Sequence, residues 1–141
     1  MRIFVIDDDP ASRNGALRAV RAACPDAETS AFPDAGSAIA AVRAHGPPPD
    51  AVFCAAAMPG MSGLAFAVEL RKLCPRVGVV FVTAFRDYAA DAYRIHADGY
   101  VIKPLTAERV REELDNLAAP RLNLAWGGGR KVPESALFWQ I

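Results

Sequence analysis

Much is missing from this 141-residue chain, and each absence narrows what it can be. No excess of charge exists: sixteen Lys and Arg balance sixteen Asp and Glu, so nothing in the total argues for nucleic-acid binding by the chain as a whole. Cysteine is sparse. Cys24, Cys54 and Cys74 are an odd number without a Cys-x-x-Cys pair, which speaks against a disulfide framework or a zinc site and fits reduced thiols in a cytoplasmic protein. His96 has no partner at metal-ligand spacing and reads as a surface helix histidine. No apolar run approaches the ~20 residues that cross a bilayer. The amino terminus opens on a strand-like run rather than a charged region followed by a long apolar one, so neither a signal peptide nor a membrane partner is expected. No G-x-x-x-x-G-K-[ST] stretch is present to cradle a nucleotide phosphate. Hydrophobic residues make up 52%, enough for one ordinary core and too many for wholesale disorder.

Five apolar runs alternate with helical patterns. Arg2–Ile6 is strand-like and ends in Asp7-Asp8-Asp9-Pro10, where Asp9 caps a helix and Pro10 takes its first position. Ala16, Leu17, Val20 and Ala23 share its inner face, Arg13, Arg18 and Arg21 point elsewhere, and Cys24-Pro25 ends it. A weaker strand spans Ala27–Phe32. Asp34 can cap a second helix with Ala38, Ile39 and Val42 inward, closing near His45-Gly46. Pro47-Pro48-Pro49 is a stiff connector before Ala51–Ala55, a run apolar enough to be buried on both faces of a parallel sheet. A third helix is expected over Leu64–Cys74, with Ala67, Leu70 and Cys74 on one side. Val77–Val82 is the strongest strand and ends in Thr83. A fourth helix is expected over Asp87–His96, then a fifth strand, Tyr100–Ile102, ending in Lys103-Pro104. Thr106 caps a fifth helix with Val110, Leu114 and Leu117 inward and Glu108, Arg109, Arg111, Glu112, Glu113 and Asp115 outward.

Regular strand–helix alternation implies an α/β fold with a doubly wound parallel sheet, and right-handed crossovers leave few topologies. The flavodoxin-like (βα)5 order 2-1-3-4-5 is the expectation, taken from known sheets of this kind rather than from the alternation itself. Residues 119–141 break the pattern. Leu122–Trp126 looks like a strand, Gly127-Gly128-Gly129 like a turn, and Val132 onward like a second short strand; so short a piece cannot bury a core alone.

In such sheets, chemistry gathers at the carboxyl ends of the strands. Aligned by strand, that edge offers Asp7, Asp8 and Asp9, then Ala55, then Thr83, then Lys103. Paired carboxylates suit a hard divalent cation, a hydroxyl can bond one phosphoryl oxygen, and an ammonium can pair with another. Taken singly, each has a plainer reading: a helix-capping turn, a turn threonine, a solvated lysine. Their joint occurrence, each at its own strand end, carries the weight.

Residues 50–63, D-A-V-F-C-A-A-A-M-P-G-M-S-G, together with that ordered set, resemble the receiver domains of two-component response regulators over residues 1 to about 118. The family pattern places an Asp at the end of the third strand, two residues before Met-Pro. Here Met58-Pro59 is present and the position is Ala55, which has no oxygen and can form no acyl phosphate. Asp50 does not substitute, lying about 16 Å away at the other end of the strand.

By family role, the resemblance implies Asp7, Asp8 and the Ala57 backbone carbonyl as metal donors. Mg²⁺ binding is expected to be possible but weakened by the loss at position 55. It further implies Thr83 and Lys103 as phosphoryl-reading groups, Thr83 and Tyr100 as switch residues, and a cis Lys103–Pro104 bond. Residues 83–104, T-A-F-R-D-Y-A-A-D-A-Y-R-I-H-A-D-G-Y-V-I-K-P, are most similar to receivers of LytTR-type transcriptional regulators, so 119–141 is read as a linker or the truncated start of an effector domain.

The expected function is therefore regulatory rather than enzymatic: a phosphorelay receiver that cannot be phosphorylated at the usual place. A sensor histidine kinase is its expected partner, a homodimer can form through the fourth helix, fifth strand and fifth helix, and DNA is reached only through an effector domain. The alternative is a phosphorylation-independent module that binds a protein or a ligand. Two origins of Ala55 stand open, a receiver that signals without phosphorylation and a phosphorylatable Asp replaced by Ala.

Overall fold

The computed structural model describes residues 1–44, 47–84 and 97–122, with side chains to 118. Five strands form one parallel sheet: β1 (Arg2–Ile6), β2 (Glu28–Phe32), β3 (Ala51–Ala55), β4 (Gly78–Thr83) and β5 (Gly99–Ile102), in the order β2-β1-β3-β4-β5. That is the flavodoxin-like order. The described helices are α1 (Pro10–Ala23), α2 (Ala35–Ala44), α3 (Gly63–Leu73) and α4 (Ala107–Leu122). The helix expected over Asp87–His96 lies outside the described residues, as do residues 123–141 of the expected tail. Leu122, expected to begin a strand, instead ends α4.

Strand side chains alternate between two cores, as a period of two requires. Phe4, Ile6, Val52, Cys54, Val79 and Phe81 face one way, with Ala38 and Ile39 of α2 and Phe66, Ala67 and Leu70 of α3. Ile3, Val5, Phe53, Val80, Val82 and Val101 face the other, with Ala16, Ala19 and Val20 of α1 and Val110 and Leu117 of α4.

The helix starts reflect capping chemistry. Asp9 accepts from the Ser12 N–H (2.8 Å) ahead of Pro10. Asp34 accepts from the Ser37 N–H (2.7 Å) and Thr106 from the Arg109 N–H (3.2 Å). Ser62, a cap that its sequence context does not mark out, accepts from the Ala65 N–H (3.1 Å) and starts α3 one residue earlier than expected.

Glu113 corrects the expected outward face of α4: it is buried, 5% exposed. Gly99 of β5 makes room for it, since a Cβ there would lie 1.9 Å from a Glu113 carboxylate oxygen. Arg109 compensates it from one turn earlier, Nη2 to carboxylate 3.3 Å.

Candidate functional site

Strand register brings the residues expected at the rim together. Ile6 pairs with Cys54, so Asp7 stands level with Ala55; Ala55 pairs with Val82, and Thr83 with Ile102. Thr83 therefore lies one residue, and Lys103 two residues, beyond the Asp7–Ala55 level, at ~3.3 Å per residue. The same register leaves Asp50 at the opposite edge, where its carboxylate accepts from the Arg2 N–H at 2.8 Å.

Asp7 is the centre of the arrangement. It is 5% exposed, and its carboxylate accepts from the Asp9 N–H (3.0 Å) and from Lys103 Nζ (2.9 Å). The lysine also donates to Ser12 Oγ on α1 at 3.2 Å. Arg13, expected to point elsewhere, turns back so that Nη1 donates to the Asp7 carbonyl at 3.0 Å. Ser12 and Arg13 are thus site residues that sequence reasoning missed; a serine and an arginine in a first helical turn carry no signal of their own.

Asp8 is exposed, Ala55 and Thr83 are buried, and Ala57 is exposed on the loop after β3. Tyr100 is half-buried and packs against the core beneath α2 and α3. The Lys103–Pro104 peptide bond is cis. The Met-Pro loop turns on Gly60, whose φ of 84° suits glycine. Behind it Gly63 donates its N–H to the Ala56 carbonyl at 2.9 Å.

Burial raises the Cys54 thiol pKa well above the ordinary range, and the nearby Asp7 charge adds to it. Cys54 is therefore a core residue, not a nucleophile.

Comparison with known proteins decides the family. A sequence profile of the response regulator receiver domain matches residues 3–115. The chain belongs to the response regulator receiver family. The positive alginate biosynthesis regulatory protein of Pseudomonas aeruginosa is 30% identical over 132 residues, covering 89% of this receiver chain and 50% of that protein. The transcriptional regulatory protein BtsR of Escherichia coli K12 is 31% identical over 122 residues, 86% and 49% respectively. This receiver thus spans about half the length of these curated relatives. The crystal structure of the response regulator TrrA of Thermotoga maritima, in complex with Mg²⁺-BeF, has a TM-score of 0.70 and 28% identity, covering 82% of this chain and 97% of TrrA. A receiver domain protein from Clostridium thermocellum superposes with a TM-score of 0.74 at 22% identity, covering 86% and 96%, which shows the shared fold.

Receivers of this family bind Mg²⁺ at the phosphorylation site, and the donors present here suit that ion poorly. Asp7 already holds an ammonium, Asp8 faces solvent, and Ala55 brings no side-chain oxygen. Among the described residues no three His, Cys, Asp or Glu side chains converge to hold a metal. The set does not fit a firmly held divalent cation, which wants six or so oxygen ligands with several from carboxylate and carbonyl. No described helix is long and apolar enough to cross a membrane.

Proposed function

We propose that this receiver is the cytoplasmic regulatory domain of a bacterial transcriptional regulator, of LytTR type, that does not use an acyl phosphate at its usual position. The observation that supports the reading is the contact of Lys103 with Asp7 at 2.9 Å: the lysine that would read a phosphoryl group is held at the rim, where position 55 carries a methyl group in place of a carboxylate nucleophile. Asp7, Asp8 and the Ala57 carbonyl are what remains of the metal half-site, Thr83 and Lys103 of the phosphoryl-reading groups, and Thr83 and Tyr100 of the switch. Residues 1–118 form the receiver; the segment after it is a linker or the start of an effector domain through which DNA would be reached. A sensor histidine kinase is the family partner, and a homodimer would use β5, α4 and the segment between β4 and β5. The domain regulates; it does not turn over a substrate.

The test is phosphate uptake. The chain and its Ala55→Asp variant are incubated with a small acyl phosphate donor and Mg²⁺, and acid-labile phosphate is measured. Uptake by the variant alone is expected. Uptake by the unaltered chain would overturn the role assigned to Ala55, and failure of the variant would overturn the integrity of the remaining site.

One observation favours the phosphorylation-independent reading over a merely disabled receiver. Lys103 already bonds Asp7 and Ser12, so the buried carboxylate of the site is paired without phosphoryl group or metal. Its output would then be set by whatever binds the domain, a shift of population between two states of the β5–α4 face.

A further inference from the structure

The site opens onto a cavity of about 310 Å³ between α1 and the Lys103-Pro104-Leu105 turn. Val5, Phe53, Val82 and Leu105 give it an apolar floor, and its polar lining is Asp7, Asp9, Ser12 and Lys103. Small residues make the space: Ala11, Gly15 and Ala16 on α1, and Ala55 on β3. Gly15 is costly where it stands, because a glycine inside a helix gives up about 0.5–1 kcal/mol relative to alanine. Packing does not demand it, since a Cβ there would meet nothing nearer than Arg18 Nη2 at 3.7 Å.

We infer that this cavity binds a short-chain monocarboxylate, whose head takes the place of the absent Asp side chain at position 55. The inference rests on Ala55 standing at the phosphoacceptor position, yet its test uses no phosphodonor, so the two readings can fail separately. The lysine supplies the recognition. An ammonium has three N–H donors; Asp7 and Ser12 take two, and among the described residues the third has no partner. A carboxylate accepting that N–H forms a charge-assisted hydrogen bond in a largely buried setting, and a chain of three to five carbons covers the apolar floor. At the low end of ligand-pocket volumes, the cavity suits a molecule of this size rather than a drug-sized one.

Other chemistries fit less well. A phosphate dianion brings two charges beside Asp7 and Asp9 where a monocarboxylate brings one, and it has no part for the floor. An amine must displace Lys103, which is tethered and already seated on Asp7.

The experiment titrates the ¹⁵N-labelled chain with butyrate, n-butylamine and n-butanol at fixed ionic strength, following amide shifts and melting temperature. Butyrate is expected to saturate at roughly 1–10 mM, moving the amides of residues 11–16, Lys103 and Leu105. Lys103→Met should weaken it by about tenfold, and Ala55→Asp should abolish it by supplying the carboxylate covalently. Gly15→Leu, which adds bulk to the α1 wall of the cavity, should abolish it too. Circular dichroism checks the fold of each variant, and Ala55→Asp, at the carboxyl end of a strand, keeps the test open should Lys103→Met unfold. Equal shifts with butylamine or butanol, a non-saturating butyrate response, or butyrate binding that survives in Ala55→Asp would each overturn the assignment.

Discussion

Lys103 and Asp7, 96 residues apart in the chain, meet at 2.9 Å and join β1 to the turn after β5. The two side chains are unequally covered, 27% exposed for the lysine and 7% for the aspartate, so removing the lysine strands a buried carboxylate. A fully buried charge left alone costs about 3–5 kcal/mol; the partial exposure of the lysine and the Asp9 N–H that remains reduce this. Lys103→Met is therefore expected to lower stability by about 1–2 kcal/mol in urea denaturation. Asp7→Asn in the same background should return part of that loss. Additive single effects in the double-mutant cycle would mean that the pair is not coupled.

Glu113 gives the receiver a pH dependence of definite sign. Burial beside Gly99 raises its carboxyl pKa above the ordinary glutamate value, Glu112 adds to the rise, and Arg109 and an Asn116 hydrogen bond oppose it. A raised acid binds more protons in the native state than in the unfolded chain. Its stabilising contribution is thus complete below the unfolded value of about 4.3 and is lost as pH rises through the folded value. Asp34, lowered by the Ser37 backbone N–H, acts in the opposite sense, losing its contribution as pH falls. The difference between the chain and Glu113→Gln isolates the first effect. Relative to the variant, the unaltered chain should lose stability as pH rises from about 4 through the folded pKa of Glu113, and a flat difference curve would show that the carboxylate is solvated.

How much of this could be read beforehand depends on where each residue sits. The strand ends were legible, because a short apolar run terminated by Asp7, by Thr83 or by Lys103-Pro104 marks its own boundary, and parallel pairing then forces the ends into one rim. Glu113 was not. In a run of alternating charges it is indistinguishable from its exposed neighbours, and only the missing side chain at Gly99, on another element, opens the space that buries it. Ser12 and Arg13 were missed for a related reason. Their partners, Lys103 and the Asp7 carbonyl, are reached through tertiary placement, which periodicity along α1 cannot encode. The packing role of Gly63 was not legible either, because nothing in the sequence tells a glycine that relieves a close approach from one that merely starts a helix.

The three thiols should separate by reactivity. Cys54 is fully buried with its thiol raised by burial and by the Asp7 charge, Cys74 is buried and also raised, and Cys24 at the end of α1 is half-exposed. Since the thiolate is the reactive form, iodoacetamide at neutral pH should modify Cys24 first in the native chain. Cys54 should react only after denaturation. Mass spectrometry of tryptic peptides checks the order, and early labelling of Cys54 would show that β3 is open at its carboxyl end.

Two glycines in helices should answer the same substitution with opposite signs. At Gly63, the first residue of α3, a Cβ would fall 2.3 Å from the Ala55 carbonyl oxygen and 3.0 Å from the Ala56 Cα. Both are backbone atoms that cannot swing aside, so Gly63→Ala must move α3 or the end of β3. Overpacking of that kind costs about 1–3 kcal/mol. At Gly15 the added methyl meets only ordinary contact with a mobile arginine, and Gly15→Ala should gain about 0.5–1 kcal/mol from helix propensity. Urea midpoints at unchanged slope measure both. Because Gly63 presses on the carbonyl of residue 55 itself, Gly63→Ala placed in the Ala55→Asp background should also slow phosphate uptake, by displacing the introduced carboxylate from the level of Asp7. A neutral Gly63→Ala would mean that α3 does not approach β3 this closely, and the rim would then lack the support that holds position 55 in line.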